Sequence, residues 1–148
     1  MTMHAARGFT LFEVIITSAF ILILLSLVSV FGLQAIYLQE IDQVRETVRN
    51  DLVYARDRAI SGTGSASAWG VAFTTSTSIR FKGATYASRD PEYDLETPFG
   101  NRVTLDGLDE VVFLPPFGAV ATSGIITITN GTEYATATVN PYGTIDLE

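Results

Sequence analysis

One carboxylate stands out by its position. Glu13 opens a run of twenty residues, 14–33, that contains no charged side chain. An ionisable group at the mouth of such a run is costly and points to a functional role. Thr10 lies three residues earlier, at capping-box spacing, so the same carboxylate also suits the first turn of a helix and its positive dipole end. Spacing alone does not separate these roles. A second set of carboxylates, Asp90, Glu92, Asp94 and Glu96, occupies alternate positions. On an extended chain all four would share one face and could collect Ca²⁺. The EF-hand pattern is not met, because Leu95 stands where the turn glycine belongs and Asn101 holds the twelfth place. A solvated acidic loop is the expected state, with calcium as the alternative. Trp69 could stack on a ligand, but a strand-start tryptophan more often anchors a core.

Other chemistry lacks its residues. The chain has no cysteine, and its one histidine, His4, lies ahead of the apolar run, so the rest of the chain has no residue for Ser-His-Asp or Cys-His nucleophiles or histidine zinc sites. Two carboxylates would suffice to hydrolyse a glycoside, yet nothing singles out a pair. A non-enzymatic protein without a cofactor is expected. Nine basic residues against 16 acidic ones give a net charge of −7, and beyond residue 89 there are ten acids and only Arg102. Such a surface repels phosphate backbones, so no nucleic-acid partner is expected.

These groups must be positioned by one anchor and one modest domain, which is what 148 residues allow. Residues 14–33 as a helix would be about 30 Å long, the thickness of a bilayer's hydrocarbon core. Arg7 before the run, with Glu40 and Asp42 after it, puts the N-terminus in the cytoplasm and the remainder outside. Ile41, Val44, Val48, Leu52, Ala55 and Ala59 then continue along one helical face, and Gly62 is placed as a left-handed C-cap. The cover for that face is expected to be the chain's own sheet. Strands are predicted over 69–74 and 78–82 as a hairpin, and over 101–105 and 110–114 around Asp106-Gly107. Further strands are predicted over 124–129 and 132–139 around Asn130-Gly131, and over 143–147. The expected fold is therefore α+β: a long N-terminal helix, membrane-buried in its first half and amphipathic in its second, packed on an antiparallel β-sheet. The divisions are 1–8, 9–33, 34–62 and 63–148.

The N-terminal sequence resembles the type IV prepilin leader: a short, slightly basic segment ending in Arg7-Gly8 before an aromatic, with Glu13 five residues into the remainder. A secretory signal peptide would have a shorter apolar core and a small-residue cleavage site, and a lipoprotein would need a cysteine. The resemblance implies cleavage between Gly8 and Phe9 by prepilin peptidase, N-methylation of Phe9, and a meeting of Glu13 with the terminal amine of a neighbouring subunit. Residues 51–60 resemble the helix end of the GspH/FimT group, with its L-x-x-A-R-x-x-A-I pattern at Leu52, Ala55, Arg56, Ala59 and Ile60. Residues 69–71 and 143–145 resemble that group's first strand and C-terminus. A minor pilin or pseudopilin of a type IV pilus or type II secretion pseudopilus is implied. Its partners would be other pilin subunits, the peptidase and the inner-membrane assembly platform. It would lie in the cytoplasmic membrane with its C-terminal domain outside, and then in the filament. The alternative is a membrane-anchored extracytoplasmic binding module for a surface or glycan.

Overall fold

The computed structural model describes residues 9–62, 67–100 and 102–148, with the side chains of 28–38 left aside. Helix α1 runs over Leu11–Ser61 and is divided between two compact units, 1–36 and 37–148. The two units are taken separately below. The membrane-buried first half expected from the sequence is corrected. Among the described residues no helix is long and apolar enough to cross a membrane.

In the second unit the helix buries one seam. Ile41, Val44, Val48, Leu52, Ala55 and Ala59 are all buried, the last four completely. Their spacing of three and four residues keeps them in line down one face. The flank of the helix carries the ion pairs Arg45–Asp42 at 3.1 Å and Arg49–Glu46 at 3.7 Å. Exposed pairs of this kind contribute a few tenths of a kcal/mol. The helix stops at Gly62, whose φ of +56° is the left-handed conformation that ends helices.

The single expected sheet is also corrected, because the strands form two. The first has β1 (Trp69–Phe73), β2 (Thr77–Lys82), β3 (Asp90–Pro98), β5 (Glu110–Leu114) and β6 (Ala119–Val120) in the order β3-β2-β1-β5-β6. The second has β4 (Thr104–Gly107), β7 (Gly124–Thr129), β8 (Tyr134–Val139) and β9 (Ile145–Leu147) in the order β4-β7-β8-β9. All pairings are antiparallel. The division falls at Asp106-Gly107, which the sequence marks as a hairpin turn. There the chain instead leaves one sheet for the other: Leu105 and Gly107 pair with β7, whereas Glu110 pairs with Ala72 of β1. Gly107 has a φ of +113°, and a Cβ there would stand 2.2 Å from the Ile125 carbonyl oxygen. Only glycine permits that crossing.

The main core lies where both sheets meet the helical seam. Val71, Phe73, Val111 and Phe113 come from the first sheet, and Ile126, Ile128, Ala135, Ala137 and Val139 from the second. The intervening residues of β1 and β5, Ala72 and Val112, join Phe81 in a small cluster on the other side. This is the two-residue alternation of a strand with both faces in use. The β7–β8 hairpin closes through Asn130, whose side-chain oxygen accepts from the backbone N–H groups of Thr132 and Glu133.

A polar link crosses the core boundary. Asp51 is 5% exposed and accepts a hydrogen bond from the Ser78 hydroxyl of β2, with Arg80 Nε 3.2 Å from its other oxygen. Burial raises the Asp51 pKa above its ordinary 3.8, opposed by the Ser78 hydrogen bond and by Arg80. An acid with a raised folded-state pKa holds its proton more tightly folded than unfolded. Its contribution is therefore complete below pH 3.8 and declines as pH rises to the folded-state value. We expect wild type to lose unfolding free energy relative to Asp51→Asn across that window, read by urea titration of the full chain in detergent through Trp69 fluorescence. A gap that widens in favour of wild type as pH rises would mean that Arg80 outweighs burial.

Candidate functional site

Gly8 lies outside the described residues, and Phe9 follows it with 82% of its surface exposed. Thr10 caps the helix. Its hydroxyl oxygen accepts from the Glu13 N–H at 3.2 Å, and its carbonyl from the Val14 N–H at 3.2 Å. The cap thus uses the backbone of Glu13 and leaves its carboxylate free. That carboxylate has no hydrogen-bond or ion-pair partner among the described residues. It shares the first turn with Leu11 and Phe12, both largely exposed.

The rest of the segment turns its polarity inward. Thr17 donates to the carbonyls of Glu13 and Val14. Ser18 donates to Ile15 and Ser26 to Ile23. Hydroxyls folded back on their own helix satisfy themselves without a neighbour. What remains on the outside of 11–27 is an apolar surface, including Phe20, Leu22 and Leu25, with one carboxylate at its start. Apolar surface of that extent is of the kind that contacts a protein partner or a membrane.

The acidic stretch is a strand and not a loop. It forms edge strand β3, but its register slips between the pairs Arg80–Leu95 and Lys82–Asp90. An irregularity of that kind breaks the alternation that would have aligned four carboxylates. Asp94 is engaged by Arg89 Nε at 2.7 Å, while Asp90, Glu92 and Glu96 are exposed. Among the described residues no three metal-binding side chains stand together. Arg89 also donates to the Tyr86 carbonyl and lies over that ring. The hydrogen bond to Asp94 raises the Arg89 pKa further, so it stays charged.

Trp69 is half-buried against the main core, edge-on between Tyr54 of the helix and Tyr93 of β3. Arg58 and Arg80 lie over Tyr54, and Lys82 over Tyr93 at 4.4 Å. Sequence reasoning missed this row of rings and cations. Tyr54 and Arg58 at i, i+4 were a visible signal; Tyr93 was not, because its segment was read as a loop. Of the basic residues beyond the helix, Arg80 pairs with Asp51, Arg89 with Asp94 and Arg102 with Glu40, while Lys82 lies over Tyr93.

Comparisons with family models, curated proteins and solved structures return no match to this chain.

Proposed function

We propose that this chain is a structural subunit of a filament of the type IV pilus or type II secretion class, a minor pilin or pseudopilin. It would be processed after Gly8 and assembled through its N-terminal helix. The observation that carries the reading is the Glu13 carboxylate, unpartnered at the head of an exposed apolar helical surface and not needed for the helix's own cap. Among packed helices in a low dielectric, an unpaired carboxylate is poorly tolerated and a cation relieves it. The amine of a neighbouring processed chain, at Phe9, is a cation of suitable position. Prepilin peptidase, other subunits and the inner-membrane assembly platform are the partners this implies. The cytoplasmic membrane is the location before assembly. The alternative, a membrane-anchored binding module for a surface or glycan, is favoured by the Tyr54–Trp69–Tyr93 row. It needs no contact between copies.

Replacing Glu13 by alanine leaves the Thr10 cap in place, since that bond uses the backbone N–H. We expect Glu13→Ala to enter membranes as wild type does, and to appear several-fold less in sheared filaments by immunoblot. Undiminished incorporation would reduce Glu13 to a first-turn residue that suits the helix dipole.

Nucleic acid is not a partner in this proposal. Arg80, Arg89 and Arg102 are drawn to carboxylates, and a net charge of −7 opposes approach of a phosphate backbone. We expect the detergent-solubilised chain to bind duplex DNA no tighter than about 10⁻⁴ M near physiological salt. A low-micromolar, salt-sensitive Kd in a fluorescence titration would contradict this.

A further inference from the structure

Arg56 holds an unanswered guanidinium. It has no ion pair and no hydrogen bond among the described residues, although its Nε is withheld from water. The other buried polar atoms without a hydrogen bond, on Glu40, Arg45, Arg80 and Asp94, belong to ion-paired residues. Arg56 lines an open hollow of about 250 Å³ with Arg49, Val53, Gly143, Thr144 and Ile145. Arg49 offers a second guanidinium there, held only by an exposed pair with Glu46 at 3.7 Å. Among the described residues no carboxylate lines this hollow.

One wall of the hollow is an open sheet edge. β9 is the last strand of its sheet and pairs with β8 alone. Thr136 and Glu148 exchange both backbone hydrogen bonds, at 2.8 and 3.0 Å. Such pairs alternate along an antiparallel ladder, so Asp146 bonds toward β8 while the N–H and C=O groups of Ile145 and Leu147 point to the unpaired side. The side chains of Ile145 and Leu147 pack against the main core. Arg49, Val53 and Arg56 therefore run beside the open edge on one face of the helix, and a groove lies between them and β9. It is closed at the head of β9. A Cβ on Gly118 would stand 2.9 Å from Ile60 Cδ1 and 3.0 Å from Arg56 Cγ, and one on Gly143 would come within 2.0 Å of the Gly118 carbonyl oxygen. The Gly118 backbone thus fills the space between the helix and the turn that leads into β9.

We infer that this groove receives the free C-terminal tail of a partner protein, extended antiparallel to β9, with its terminal carboxylate on Arg56. Each part of that occupant answers a feature of the site. The outward backbone groups of Ile145 and Leu147 are met by an extended main chain, as in strand addition. The unpaired guanidinium stands at the closed end, and its planar fork takes a carboxylate in bidentate fashion. An internal Asp or Glu placed there would have to carry its own chain on through the Gly118 backbone, whereas a terminal carboxylate ends where the groove does. Because that end is the head of β9, the tail runs antiparallel to it. Val53, between the two arginines, suits an apolar side chain near the terminus. The chain's own C-terminus is not the occupant, since Glu148 is already held in the ladder by Thr136, and a second copy would have to break the same bonds. A tail also brings a single terminal charge, which a chain of net −7 accepts more readily than a dense polyanion. Such a tail binds whatever the N-terminal helix does, so the site is additional to both functions proposed above.

The probe is a pool of pentapeptides with valine or threonine at each position, fluorescein-labelled at the N-terminus and prepared with a free C-terminal carboxylate and again as the amide. Titrated with the detergent-solubilised full chain and read by fluorescence polarisation, the free-acid pool should bind tighter than the amide by about tenfold or more, as one charge-assisted pair implies. Hydrogen exchange at the Ile145 and Leu147 amides should slow in its presence. Arg56→Gln should bring both pools to the same weak affinity. Arg49→Glu, on an exposed side chain, should weaken the free-acid pool without touching the packed stem of Arg56. No binding of the free-acid pool, equal binding of both pools by wild type, unchanged exchange at Ile145 and Leu147, or an Arg56→Gln chain that still prefers the acid would each overturn the inference. Binding of acetate or glucuronate without the free-acid pool would overturn it too, by making the hollow a site for small anions.

Discussion

Burial of the helical seam from Ile41 to Ala59 is the constraint on which the rest of the second unit depends. Val48, Leu52, Ala55 and Ala59 are completely enclosed, and the strands enclosing them come from two sheets that hydrogen-bond within themselves. Each sheet alone would leave its apolar face open. Val71, Val111 and Phe113 from one and Ile126, Ile128 and Ala137 from the other reach a common core because the same helix needs both. Apolar burial is worth about 25 cal/mol per Å², and cutting Leu52 back would also leave a cavity in a core packed to near-crystalline density. Asp51 sits beside this seam and ties the helix to β2 through Ser78 and Arg80. Burial costs this carboxylate part of what its two partners return.

How much of this could be read in advance depends on how local the cause is. The seam was legible because six apolar residues recur at helical spacing, and the β7–β8 hairpin because Asn130-Gly131 carries its own turn chemistry. The break between sheets was not. Gly107 looks like a hairpin glycine, and its actual role depends on the Ile125 carbonyl, which no local pattern reveals. Strand β3 was hidden by four acids and Pro91, residues with low strand propensity that an edge position tolerates and that protect it from further pairing. The Asp51–Ser78 bond joins residues 27 apart and left no trace in the sequence. Nor did the cradle of Arg56, which needs two distant glycines to cross. Of the residues marked by the leader, Glu13 and Phe9 are placed, and Gly8 lies outside the described part.

The two units set opposite demands on their surroundings. The second encloses its apolar residues and offers water a charged surface. In the first, the described side chains from Phe9 to Leu27 are exposed throughout, with the hydroxyls turned back onto the helix and one carboxylate left over. A segment of this character is unfinished as an isolated chain. Under the filament proposal, neighbouring helices supply the apolar cover and a neighbouring amine neutralises Glu13. The second requirement holds only if the chain begins at Phe9, since an uncut leader would move the amine eight residues away.

The terminus of the assembled chain is therefore the most direct test. Intact-mass and peptide spectrometry of protein sheared from cells should find a chain beginning at Phe9 and carrying one additional methyl group on its amine. Assembled material that still begins at Met1 would contradict the account.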